Sequence, residues 1–179
     1  MKYVVIINGK PRSGKDTFVE KVKKCREGNI IVHNISTVDN VKTAATFLGW
    51  SCEKDSASRE MLHNLKMLST QLFDGPFRYV KGYFDNEMWK GDILFIHSRE
   101  PDDIKRFKDY FTSIVGRVED IKCYTLKIER DAAEDYHNNN ADQGVDDYPN
   151  YDFTIKNNGS LADLELAAQD FYNKHLTDA

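Results

Sequence analysis

The run Tyr3-Val4-Val5-Ile6-Ile7-Asn8-Gly9-Lys10-Pro11-Arg12-Ser13-Gly14-Lys15-Asp16-Thr17 decides the reading of this chain. Its first part, over 3–7, is continuously apolar and rich in β-branched residues, the pattern of a strand buried on both faces. Its second part sets Gly9, four residues and then Gly14-Lys15 ahead of a helical pattern, so a tight turn feeds a helix N-terminus. Glycines there let the backbone curl round an anion, with successive N–H groups and the positive end of the helix dipole aimed at it. Lys15 adds an ammonium that can reach the outer phosphates of a triphosphate. The bland reading is a strand–turn–helix junction with chance glycines; the flanking elements favour the anion cradle.

Outward from that turn, apolar runs over 30–35, 93–97, 121–128 and 153–155 alternate with helical patterns. The alternation predicts an α/β fold: a three-layer sandwich around a five-stranded parallel sheet. Helices are expected over 15–26, stopped by Gly28, and over 38–48, stopped by Gly49. Another is expected over 56–72, with Met61, Leu65, Leu68 and Leu72 on one stripe. Asp74 and Pro76 suit the start of a helix reaching Trp89, with Gly91 as its stop, and Pro101 opens one toward Phe111. Ser160 with Asp163 resembles a capping box at the head of a last helix over 161–175. The whole of 1–179 reads as a single domain. From 131 to 155 there is no Lys or Arg, and 130–149 reads as an insertion over the sheet edge, whose length suits a functional lid or a disordered segment.

Composition bounds the function classes. At 179 residues and 40% hydrophobic, the chain can bury a core without disulfide or metal staples. A net charge of −4 argues against a broad electrostatic grip on nucleic acid. Cys25, Cys52 and Cys123 are odd in number, scattered and without metal-ligand spacing, which predicts free thiols in a reducing cytoplasm. The run over 3–7 is far too short for a signal-peptide core or a membrane span, so no membrane partner is expected. Oligomeric state is left open, a homodimer among the states allowed.

Asp16 stands where a hydroxyl normally follows the loop lysine. A carboxylate is also a hard oxygen ligand for Mg2+, and Thr17 offers a hydroxyl one step on, about 100° round the helix. Alternatively Asp16 simply stabilises the helix N-terminus. The segment Arg12-Ser13-Gly14-Lys15-Asp16-Thr17 resembles the phosphate loop of phage-type deoxynucleoside monophosphate kinases, and a related variant occurs in animal-type phosphomevalonate kinases. Ile96-His97-Ser98-Arg99-Glu100 with Asp103-Ile104 resembles their strand-end arginine motif. Gly144-Val145-Asp146-Asp147 and the stretch from Tyr151 to Gly159 resemble their post-lid acidic motif and final strand. The resemblance implies a P-loop kinase fold with a helical acceptor-binding region near 36–90 and a lid over 130–149. It also implies ATP and Mg2+ as cofactors, a small phosphorylated acceptor, and transfer of the γ-phosphoryl group to it.

On that basis Gly9, Lys10, Arg12, Ser13, Gly14, Lys15, Asp16 and Thr17 are expected at the phosphates, and Asn157 with Gly159 on the adenine side. Lys15, Arg99, Arg130 and Arg59 are expected to carry catalysis and acceptor binding, arginine being a permanently charged planar fork. For Arg99 a surface salt bridge with Glu100 or Asp103, and for Arg59 a solvated helix face, are the alternatives. His97 occupies a position where these kinases carry an aspartate, and a neutral imidazole would not replace that charge. Phe77, Tyr79, Tyr83, Phe84 and Trp89 read as core at helical spacing, with base stacking as the alternative. Three functions stay open: a nucleoside monophosphate kinase, the same fold acting on another phosphorylated acceptor such as phosphomevalonate, and a nucleotide-binding module with weak or no transfer. A guanine-specific switch is disfavoured by the absence of an Asn-Lys-x-Asp motif.

Overall fold

Strand β1 (Lys2–Asn8) is buried along its whole length. The reason is its place: it sits at the centre of a five-stranded sheet of order β2-β3-β1-β4-β5. The structure, a computed structural model, describes residues 1–25, 30–53, 55–87, 92–114, 121–132 and 148–177. The other strands are β2 (Val32–Ser36), β3 (Ile93–His97), β4 (Ile121–Glu129) and β5 (Phe153–Lys156). All pairings are parallel, with Ile7 opposite His97 on one side and Asn8 opposite Lys127 on the other. The α/β fold and parallel sheet expected from the alternating runs are therefore present, with strand ends within two residues of the predicted bounds.

Successive side chains of a strand point to opposite faces, and β1 uses both. Tyr3, Val5 and Ile7 pack under α1 (Lys15–Cys25) and the last helix, while Val4 and Ile6 pack under helices on the other face. Phe18 of α1 meets Phe171 edge to face at 5.7 Å, and Lys21 pairs with Glu165 at 2.5 Å.

The remaining helices are α2 (Asp39–Phe47), α3 (Ser56–Phe73), α4 (Gly75–Glu87), α5 (Pro101–Ser113) and α6 (Leu161–His175). On the second face Phe84 of α4 meets Phe111 of α5 at 5.0 Å, and Phe77 stacks on Phe107 at 5.6 Å. Phe84 is thus core, with Phe77, Tyr79 and Tyr83 half-buried against it. At α6 the Ser160 hydroxyl accepts from the Asp163 N–H while Asp163 accepts from the Ser160 N–H, the expected capping box.

Two local expectations are corrected. Asp74 does separate two helices, but in a left-handed conformation (φ 54°) that ends α3, and its carboxylate takes both Arg106 nitrogens at 2.6 Å instead of capping α4. The stripe on α3 is covered only along its first half: Met61 and Leu65 are half-buried, while Leu68 and Leu72 are 54% and 67% exposed. The buried side belongs to Lys66, about 200° round the helix from Leu68, which pairs with Glu100 at 2.5 Å and Asp103 at 3.3 Å. Gly28, Trp89, Gly91 and most of 130–149 lie outside the described residues.

Cys25, Cys52 and Cys123 are free thiols, and burial pushes Cys123 up to about 12. Among the described residues no helix is long and apolar enough to cross a membrane.

Phe18→Ala should cost about 3–5 kcal/mol, because Phe18 is fully buried between β1 and α6. Urea denaturation monitored by circular dichroism measures it; a loss under 1 kcal/mol would contradict this packing.

Candidate active site

The loop between β1 and α1 opens where the central strand ends, at the carboxyl edge of the sheet. Open α/β sheets bind ligands on that edge. Its path needs glycine twice. Gly9 has φ 149°, and a Cβ there would stand 2.3 Å from the Ile128 carbonyl oxygen. Gly14 has φ 97°, and a Cβ there would stand 2.4 Å from Asn157 Nδ2. Between them Arg12 takes φ 60°, a left-handed conformation that is uncommon for a residue with a side chain.

The loop closes on itself through Ser13 N–H donating to the Lys10 carbonyl at 3.1 Å. Phe18 N–H donates to the Gly14 carbonyl at 2.8 Å, which makes Gly14 the cap and leaves Lys15, Asp16 and Thr17 as the first turn. First-turn N–H groups have no intrahelical acceptor, so this end of α1 presents donors and positive dipole to an anion. Lys15 Nζ folds back over the loop, donating to the carbonyls of Gly9 at 2.5 Å and Lys10 at 2.8 Å, with Ser13 Oγ at 3.5 Å.

Two asparagines brace the loop from opposite sides. Asn8 is fully buried, and its Oδ1 accepts from Gly9 N–H at 2.7 Å. Asn157, also buried, donates from Nδ2 to the Ser13 carbonyl at 2.8 Å, while its own N–H donates to Glu129 at 2.7 Å. Asn157 therefore stands at the phosphate loop itself. Its neighbour Asn158 exchanges two hydrogen bonds with Asp131, at 2.8 and 2.7 Å, and so joins the turn after β5 to the residue beside Arg130. Gly159 lies against the capping box, where a Cβ would meet Asp163 Oδ2 at 2.5 Å.

His97 ends β3 beside the loop. Its Nε2 lies 2.8 Å from Asn34 Oδ1 and 3.7 Å from Asp16 Oδ1. Burial lowers its pKa from 6.5 to about 4, against the opposing pull of Asp16 and with the help of Lys15, so the imidazole is neutral at pH 7. Asp39 and Lys42, paired at 3.1 Å at the head of α2, add to the field at His97. Asp16 itself is 90% exposed at the loop mouth. Asp16 and the exposed Thr17 beside it are hard oxygen donors of the kind Mg2+ takes.

The expected arginines divide. Arg99 is half-buried just beyond β3, and its carbonyl accepts from Asn8 Nδ2 at 3.4 Å. Glu100 and Asp103, its expected surface partners, are held by Lys66. Arg130 is exposed immediately past β4, beside the Asp131–Asn158 clasp. Arg59 is exposed in the first turn of α3, on a separate element from the loop. Sequence reasoning missed Asn8, Asn34, Asp39 and Lys42. Only Asn8 carried a usable signal, a polar residue closing an otherwise apolar strand. A cleft lined by Tyr3, Cys25, Ile93, Tyr172 and Leu176 lies at the opposite end of the sheet, away from all these groups.

No protein-family model matches the sequence, and neither does any curated protein. Among solved structures the chain is similar to a candidate kinase from Chloroflexus aurantiacus j-10-fl, at TM-score 0.54 and 12% identity over 96% of each chain. It is also similar to an unliganded sugar kinase from Janibacter sp. HTCC2649, at TM-score 0.50 and 10% identity over 98% of this chain and 96% of that one. At such identities the likeness is one of fold. The fold is that of P-loop NTPases: a parallel five-stranded α/β sheet with the glycine loop between β1 and α1.

Gly14→Ala should weaken ATP binding at least tenfold, since the new methyl must displace Asn157. Gly82→Ala, where a Cβ meets nothing within 4 Å, should leave it unchanged; calorimetric titration decides both. His97 contributes a pH dependence of known sign. Its pKa is lower folded than unfolded, so the stability it confers is complete above about pH 6.5 and is lost as pH falls toward 4. His97→Asn should remove that part of the acid destabilisation, seen as a smaller shift of the urea midpoint between pH 7 and pH 4.5.

Proposed function

We propose that the protein is an ATP-dependent kinase that moves the γ-phosphoryl group to a phosphate-bearing small molecule, with a (deoxy)nucleoside monophosphate as the preferred acceptor class. One observation carries this reading: Lys15 Nζ is drawn over the mouth of a loop whose glycines leave no room for side chains. The loop from Gly9 to Gly14 curls round the β- and γ-phosphates, with the amides of Arg12 and Gly14, the first-turn amides of α1 and the side chains of Lys10, Arg12 and Ser13 as the groups that hold them. Lys15 follows the charge that moves to the bridging oxygen as ADP leaves.

An acceptor phosphate oxygen forms the new P–O bond while the bond to the β,γ-bridging oxygen breaks. The acceptor is already anionic, so no side chain need take a proton. Asp16 or Thr17 would hold Mg2+, which supplies charge neutralisation on the phosphate oxygens. Arg99 and Arg59 bind the acceptor, Arg59 from the helical region near 36–90, and Arg130 reaches the transferring group. Asn157 and Gly159 border the adenine side. A phosphorylated isoprenoid precursor is a second acceptor compatible with the same residues.

A rival reading, a nucleotide-binding module without transfer, is favoured by one feature. His97 is neutral at a place where the resembling kinases have a carboxylate.

A coupled ADP-release assay over a panel of nucleoside monophosphates and other phosphorylated acceptors decides between them. Acceptor-dependent turnover in the wild type, reduced at least about a hundredfold in Lys15→Ala, is the expected result. ATP binding with no acceptor-dependent turnover would support the module instead.

A further inference from the structure

Asn8 is the residue whose side chain the phosphate chemistry does not by itself require, yet it is fully buried and fully used. Its Oδ1 accepts from Gly9 N–H at 2.7 Å. Its Nδ2 donates to the Tyr151 hydroxyl at 2.7 Å and to the Arg99 carbonyl at 3.4 Å. A buried amide costs free energy unless its hydrogen bonds are made, and an apolar residue would suit the end of β1 better on packing alone. The three partners explain its presence. They lie on three separate segments: the start of the phosphate loop, the Arg99 turn after β3, and the approach to β5.

Only an amide meets this set. A carboxylate could accept from Gly9 but has no N–H for the Arg99 carbonyl, and a hydroxyl has one donor for two acceptors. Tyr151 is in turn fixed by its ring, which meets Tyr148 at 4.9 Å and lies under the Lys127 ammonium at 6.0 Å. The next residue, Asp152, is tied to β4. Its carboxylate accepts from Lys108 at 2.5 Å and from the Thr125 N–H and hydroxyl at 2.7 and 2.9 Å. Burial pushes that carboxyl up, but these donors outweigh it and hold it below the usual range. The Tyr151 hydroxyl is thus delivered to Asn8 from a clamped backbone.

We propose that Asn8 is a positioning residue, which holds the phosphate loop, the Arg99 turn and the segment at Tyr151 in one register. The inference rests on the reading above, in which the loop grips the donor and Arg99 faces the acceptor. Phosphoryl transfer depends on the relative placement of those two groups more steeply than nucleotide binding does, because a misplacement of about 1 Å can cost a hundredfold in rate while the grip on the donor remains.

The test is a double-mutant cycle on Asn8→Ala and Tyr151→Phe, the second being isosteric and safe for folding. Tyr151→Phe should leave ATP affinity within about threefold while kcat for transfer falls about tenfold, the scale of one half-buried hydrogen bond. Asn8→Ala should lower kcat further, and adding Tyr151→Phe to it should cost nothing more. Independent, multiplying losses, or ATP affinity falling in step with kcat, would overturn the proposal. If the wild type turns over no acceptor, the kinase reading fails, and hydrogen exchange then decides the coupling. ATP should slow exchange over 98–100 and 148–152 in the wild type and not in Asn8→Ala; equal responses would overturn it.

Discussion

The constraint on which the rest depends is how closely the loop backbone at the end of β1 is approached by its neighbours. Gly9 passes so near the Ile128 carbonyl that it has no room for a methyl group, and Gly14, at φ 97°, would drive a methyl into the Asn157 side-chain amide. The loop is therefore gripped on one side by β4 and on the other by the turn after β5. That grip sets the direction of the first-turn N–H groups of α1 and the reach of Lys15. It holds because the central strand is buried on both faces and cannot shift without disturbing two cores.

Around the loop the protein places charge unevenly. Cations concentrate at its mouth, in Lys10, Arg12 and Lys15, with Arg99 beyond the adjacent strand. The one carboxylate of the first turn, Asp16, projects into solvent, and its nearest basic neighbour, His97, is kept neutral by burial. An anion of high charge is thereby favoured at the loop, while the Asp16 carboxylate faces solvent. Helix α3 is attached differently, through Lys66 set between Glu100 and Asp103. Removing Lys66 would leave the two carboxylates facing each other without their shared cation, so this lysine ties the middle of α3 to the start of α5.

Much of the fold was legible in the order of residues because its signals are local. Apolar runs of β-branched residues marked all five strands, and Ser160 with Asp163 marked the head of α6 to the residue. The glycine spacing marked the loop. What escaped reading was set by tertiary contact. Periodicity identified a stripe on α3 but not that Lys66, on the far side, would be the buried face. Asn157 was legible as a loop residue, yet its role as a brace for Ser13 depends on a pairing between positions 144 residues apart. Asn34, Asp39 and Lys42 gather round His97 only because β2 lies beside β3 in the sheet. The acceptor side stays the least legible, because Arg59, Arg99 and Arg130 come from three different elements and no local pattern relates them.

The central claim is that backbone amides and the Lys15 ammonium form a cradle for a polyphosphate chain. Its most direct test is a titration of the 15N-labelled protein with inorganic tripolyphosphate, followed by amide chemical shifts. The account predicts the largest shifts at Gly9 to Thr17, saturating and reversed by competition from ATP. Tripolyphosphate that leaves those amides unmoved, or moves them no more than the exposed surface of α3, would contradict it.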